Sequence, residues 1–345
     1  MDKSATWSLS NLYPGYFALV MATGILSVVG FLVHWTDLSD ALFIIASVFY
    51  LWLIVLYITR IFRFPAQVKA DMFNPLRVFG YFTFVAGTDI LATRLGLSGY
   101  LWPVLILGCI AFLVWCGLLY FIFAMLVFHN ERAVHESVNG AWLIATVGTE
   151  SLSIVAAILA VHLHFMSEAL LFVAYAFWSF GILLYLIFIV IIMYRFFFKA
   201  VHPADLSPPY WINMGAMAIT TVAGVRLANP GAATKFLAAV HPFVVAFTVT
   251  MWTWGTWWIP LLVIMGIWKY RMYKRIEPFD PSLWSIIFPL GMYSAALALM
   301  SSFPGLHFLH YAVKYFYILA LVCWCLVLVD WFAHDVLKVR SQEAK

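Results

Sequence analysis

Charge is what this 345-residue chain has least of, with Asp, Glu, Lys and Arg together making up 10% of it. A soluble domain devotes about a quarter of its residues to those four types, so a water-facing globule is excluded. Cysteine is scarce as well. The four present, Cys109, Cys116, Cys323 and Cys325, all fall in apolar segments. Cys323 and Cys325 would point to different faces of a helix, so no disulfide framework is indicated and the thiols read as packing residues. No histidine falls in the middle of an apolar segment, which excludes a bis-histidine haem redox protein. HLH (162–164) and HFLH (307–310) lack the cysteine or carboxylate that would complete a ligand set. There is no Walker lysine, no glycine-rich dinucleotide fingerprint and no nucleophile–base order. An enzyme is therefore not indicated, nor is a resident metal or cofactor.

What the chain does have is grease. It is 65% hydrophobic, with 31 Phe, 17 Tyr and 16 Trp, and a mean hydropathy of +0.98. Ten apolar stretches, at 14–33, 40–60, 77–97, 100–127, 139–161, 168–195, 208–227, 241–268, 281–301 and 306–332, are each long enough to cross a hydrocarbon core of about 30 Å. Inside lipid every backbone amide must be bonded internally, so the stretches are expected to be helices. The expectation is an all-α integral membrane protein with residues 1–345 forming one transmembrane domain. The first stretch runs on for a full span and reads as retained, not as a cleaved leader. Of the 19 Lys and Arg residues, all but Arg94, Arg226, Lys235 and Lys314 fall in the N-terminus, the tail and the loops after the even stretches. That bias predicts cytoplasmic N- and C-termini in a cell membrane, plasma or bacterial inner. The net charge of +4 thus reflects topology and not nucleic-acid binding.

The ten stretches form a hairpin repeated five times with a period of roughly 60 to 70 residues. Leading segments start near Pro14, Pro75, Asn139, Pro208 and Pro281 and carry small and polar side chains, as in MATGILS (21–27), GTDILATR (87–94), GTESLS (148–153) and AITTVAG (218–224). Gly24, Gly87, Gly148 and Gly291 lie at similar depth in four of them. Trailing segments hold most of the aromatic and branched residues. One wet and one oily helix per repeat predicts odd helices lining a central path and even helices facing lipid, the plan of a transporter or channel. A sensor would carry a sizeable soluble output segment; the tails are about a dozen residues.

Ionisable groups inside such helices are functional candidates by default. Asp89 and Glu150 lie near mid-segment, each after a Gly-Thr step. They read either as protonatable groups coupling proton movement to an anion or as structural carboxylates bonded to neighbours. Arg94 and Arg226, late in their segments, can attract an anion at the mouth or pair with those carboxylates. Thr23, Ser27, Thr88, Thr93, Thr146, Thr149, Ser151, Thr220, Thr221 and Ser294 are candidates for solvating an ion in transit, with Thr23, Thr88, Thr149 and Ser294 taken as lining the path; small residues also serve close helix packing.

Three segments, PGYFALVMATGILS (14–27), NGAWLIATV (139–147) and WSIIFPLG (284–291), together resemble the tellurite-resistance/dicarboxylate transporter family. That family includes the bacterial tellurite-resistance protein, yeast malate and sulfite transporters and plant slow anion channels. The resemblance covers essentially the whole chain. It implies five quasi-symmetric hairpins, kinked odd helices around a pore, a homotrimer, and a phenylalanine plug whose matching position is Phe288. Pro289 beside it removes a backbone bond and can kink the helix, as can the adjacent Gly291. Asp89 and Glu150 depart from the apolar pores of the slow anion channels. That departure favours a proton-coupled carrier of a small anion, first a C4-dicarboxylate such as malate. A gated channel for chloride or nitrate, or an exporter of a sulfite- or tellurite-type oxyanion, is the alternative.

Overall fold

A computed structural model describes residues 8–229, 234–272 and 279–333. Among these residues there is no strand. Ten long helices dominate: α1 (Ala18–Leu32), α2 (Thr36–Arg63), α3 (Phe82–Leu97), α4 (Leu101–Phe128), α5 (Ile144–His162), α6 (Ser167–Phe198), α7 (Ile212–Ala228), α8 (Lys235–Met272), α9 (Trp284–Met300) and α10 (His310–Trp331). By length and composition, seven helical segments are able to cross a membrane: α2, α4, α6 and α8, together with α5, α9 and α10 and the short 3-10 turns that precede them. The 15-residue α1 is apolar but shorter.

The odd helices touch in sequence, α1 on α3, α3 on α5, α5 on α7 and α7 on α9, and α9 returns to α1. This closes a ring of five. Each even helix packs against the odd helix before it, and α2, α4 and α6 also lean on the odd helix that follows, as α10 does on α1. Burial follows the same division. In the most apolar stretch of the α5 segment 94% of residues are buried, against 22% for α2 and 17% for the α10 segment. The even helices expose Ile44, Leu51, Trp102, Leu113, Phe172, Ile264 and Tyr315, a surface that water would not tolerate and lipid would.

Most odd helices start the same way. A 3-10 turn precedes α3 (Val78–Tyr81), α5 (Gly140–Leu143), α7 (Pro208–Trp211) and α9 (Pro281–Leu283). Two of these turns are capped by a short side chain: Asn139 accepts from the Ala141 amide at 2.9 Å and Asp280 from the Ser282 amide at 2.9 Å. Gly140 is required by contact, because a Cβ there would stand 2.5 Å from the Pro209 backbone at the base of the next hairpin. Near that base Asp71 lies between Arg60 (2.7 Å) and Arg77 (2.6 Å), while Arg60 also donates to the Ser10 carbonyl at 3.0 Å and anchors the start of the described chain.

Aromatic side chains of the outer helices stitch the ring. Tyr50 of α2 shares a hydrogen bond with Thr88 of α3 (2.9 Å), and the Trp115 indole of α4 donates to Thr149 of α5 (2.8 Å). Trp178 of α6 donates to the Thr220 carbonyl of α7 (3.0 Å), and Trp324 of α10 to Thr23 of α1 (3.0 Å). Between α8 and α9 the roles reverse, with Thr256 meeting the Tyr293 hydroxyl at 2.9 Å. So each outer helix is tied to the following inner helix by a bond that gives a polar side chain a partner in an apolar setting.

Candidate functional site

Two cavities lie one above the other inside the ring, and all five odd helices contribute to both. The lower, toward the N-terminal ends of those helices, is walled by Ala18, Met21, Thr83, Val147, Ser285 and Phe288 with two further isoleucines. The upper is walled by Ile25, Ile90, Ile219 and Met292 near its floor, by Thr93, Ser151 and Val222, and higher by Leu32, Leu299 and Arg226. Measured at the centre of a water-sized sphere they hold about 10 and 20 Å³. That is room for about one water each, so in this conformation no continuous water column threads the ring. Phe288, which is 1% exposed, and Met292 stand one turn apart on α9, one at each cavity. The α9 helix runs unbroken through Pro289 and Gly291.

The sequence-predicted residues divide in two. Phe288 and Arg226 line the cavities. Among the described residues no ion pair engages Arg226, and its Nε has no hydrogen-bond partner. Arg94 is placed otherwise. Its guanidinium pairs with Asp40 at 2.6 Å, donates to Ser39 at 3.0 Å and to Ser98, and lies 4.5 Å from the Phe31 ring centre. Arg94 is thereby spent on joining α3 to the start of α2, and it lines neither cavity.

Thr23, Thr88, Thr149 and Ser294 were expected on the path, and none of them lines a cavity. The three threonines meet the outer-helix aromatics, and Ser294 donates to the Val313 carbonyl of α10 at 2.9 Å. Gly24, Gly87, Gly148 and Gly291 mark contacts between neighbouring inner helices. A Cβ on Gly291 would meet Ile25 at 2.8 Å, one on Gly24 would meet Ile90, and one on Gly148 would sit 3.4 Å from Phe82. Here α1, α3, α5 and α9 pass through these glycines as continuous helix.

The two carboxylates face different ways. Glu150 is fully buried and accepts from Thr220 at 3.1 Å. Its head lies against α6, where a Cβ on Gly181 would stand 2.5 Å from Oε1. Asp89 is also fully buried and accepts from Ser151 Oγ at 2.7 Å. Ser151 lines the upper cavity, so Asp89 is one hydroxyl behind its wall. Ile90 and Met292 were not singled out from sequence, whereas Thr93 and Ser151 were among the small hydroxyls it offered for solvating an ion, and both line the upper cavity.

Comparison with known proteins identifies a family. Residues 11–332 match a family described as voltage-dependent anion channel. The chain is similar to an uncharacterized transporter of Methanocaldococcus jannaschii, 28% identical over 338 residues that cover 93% of this chain and 94% of the relative. A second uncharacterized transporter of that organism is 27% identical over 338 residues, covering 93% and 92%. A stretch of 103 residues is 38% identical to an uncharacterized membrane protein of Mycobacterium tuberculosis, covering 30% of this chain and 52% of that protein.

Proposed function

The chain belongs to the voltage-dependent anion channel family, and from that membership we propose that it passes a small monovalent anion, such as chloride or nitrate, along the axis of its inner ring. The observation carrying the reading is Arg226, a guanidinium with no ion pair among the described residues, in a cavity walled by all five odd helices. A half-buried cation without a counter-ion is costly to maintain and is satisfied when an anion arrives. A dicarboxylate brings two charges, and the second arginine that could receive one is tied to Asp40. The cavity's other walls are apolar apart from Thr93 and Ser151. These features favour a single compact charge over malate.

In this reading ten helices span the membrane as five hairpins, with both termini cytoplasmic and the upper cavity on the outer side. Three copies, each with its own path, form the assembly. Phe288 is the gate, an apolar ring walling the lower cavity one turn below Met292 that blocks ions by excluding water, and conduction requires it to swing aside. The path is lined by Ile25, Ile90, Thr93, Ser151, Ile219, Arg226 and Met292, while the threonine stripe holds the outer helices.

The test is anion flux into proteoliposomes containing purified protein, comparing nitrate, chloride and malate. Nitrate or chloride should pass faster than malate, and Arg226→Gln should lower the flux at least tenfold, the order expected for losing a charge-assisted contact of about 1.5–3 kcal/mol. Malate flux exceeding that of both inorganic ions would overturn the monovalent reading.

A further inference from the structure

Resting on that reading, we propose that Asp89, acting through Ser151, couples anion occupancy of the upper cavity to uptake of one proton. Glu150 is outside this coupling.

The argument starts from the single proton of the Ser151 hydroxyl. In this conformation it is committed away from the cavity, toward Asp89 Oδ2 at 2.7 Å, with the Gly148 carbonyl at 2.9 Å as the other acceptor in reach. What Ser151 presents to the cavity is therefore oxygen lone pairs, which repel an anion. For Ser151 to solvate an anion beside Arg226, its O–H must rotate inward, and Asp89 then loses its hydrogen bond. The other carboxyl oxygen, Oδ1, already has no partner among the described residues, and the side chain is fully buried. A carboxylate stripped of its one donor in an apolar wall cannot stay ionised there. The balancing step is one proton transfer, in which a hydronium entering with the anion gives its proton to an Asp89 oxygen and leaves as water. The reverse transfer on the other side of the cycle frees the anion. Occupancy and protonation thus favour each other, and by linkage the effect is reciprocal.

Among the described residues, nothing packed against α3 supplies an alternative partner. From α2, Tyr50 reaches the neighbouring Thr88, and Asp40 pairs with Arg94 of α3 itself. The described residues of α1 include no titratable side chain, and α4 carries Cys109, Cys116 and Tyr120. From α5 come Glu150, which is turned to Thr220 and Gly181, and His162 at the far end of the helix. Arg226 of α7 shares the cavity with Ser151 and keeps it positive for the anion.

The experiment loads the parent protein, Asp89→Asn, Ser151→Ala and Glu150→Gln into vesicles with an internal pH dye and applies a nitrate gradient at external pH from 5 to 8. In the parent, nitrate entry should acidify the lumen. Its rate should fall about tenfold per pH unit once the site titrates, the slope of one linked proton. Asp89→Asn, neutral at every pH and still an acceptor for Ser151, should pass nitrate without acidification and with a flat pH profile. Glu150→Gln should match the parent in both readouts. Parent flux that ignores pH and carries no proton overturns the inference while leaving anion transport standing; absence of any anion flux overturns both. A pH slope retained in Asp89→Asn, or abolished in Glu150→Gln, also overturns it. Should Asp89→Asn fail to elute as folded protein, Ser151→Ala decides, because it keeps the carboxyl but cuts its link to the cavity. A flat profile is then expected, and an unchanged slope refutes the coupling.

Discussion

Replacing Thr149 with valine separates a hydroxyl that holds the ring from one that serves the path. Thr149 is fully buried, accepts from the Trp115 indole at 2.8 Å and donates to the Ala145 carbonyl at 2.8 Å. Valine has nearly the same shape, so the change deletes the hydroxyl without opening a cavity. The Ala145 carbonyl keeps its helical bond, whereas the Trp115 N–H is left without an acceptor. Interhelical hydrogen bonds in membranes average about 0.6 kcal/mol with a maximum near 1.7, and a stranded buried donor costs about 1–3 kcal/mol. A loss of roughly 1–2 kcal/mol follows, which for a chain of this size lowers the unfolding temperature by about 2–4 °C. The assays are thermal unfolding in detergent and nitrate flux in vesicles. Thr149→Val should melt earlier and conduct like the parent. Trp115→Phe removes the donor itself, so adding Thr149→Val to it should cost less than Thr149→Val alone, a coupling of about 0.5 kcal/mol or more. Unchanged stability with reduced flux would refute the reasoning, since it would mean the hydroxyl faces the ion.

The other predictions concern the gate and the carboxylate that faces away from the cavities. Phe288→Ala should raise anion flux severalfold by joining the two cavities, and should cost about 3–5 kcal/mol of stability if the space stays dry. A smaller cost with raised flux would show that water fills it, and unchanged flux would remove Phe288 as the gate. Gly181→Ala places a methyl 2.5 Å from Glu150 Oε1, so it should destabilise by about 1–3 kcal/mol through overpacking. Protein that melts like the parent would show that Glu150 can turn elsewhere.

Two sequence features misdirect in an instructive way. GTD and GTE read as equivalent mid-helix acids, yet Asp89 meets a cavity-lining serine while Glu150 meets Thr220 beside a glycine of α6. Arg94 and Arg226 read as a matched pair of outer cations, yet among the described residues only Arg94 pairs with an acid, Asp40 near the start of α2. Neither difference is visible along one helix. Asp40 lies 54 residues from Arg94, and Ser151 lies 62 from Asp89.

Composition alone determined the solvent of this protein, because so few charges and so many long apolar runs leave no other medium in which the backbone and side chains are both satisfied. Repeat period and polarity separated helices that would be buried from helices that would face lipid. What they could not supply was rotational phase. An inner helix such as α5 is buried on nearly every side, so its sequence carries no stripe that says which face meets the axis. Successive residues differ by about 100° around a helix. Thr149 and Ser151 are therefore near neighbours in the chain that point to different surroundings, one to Trp115 and the other to the upper cavity. Only the packing of five helices into a closed ring, each tied to the outer helix of the hairpin before it, decided which hydroxyls hold the structure and which line the path.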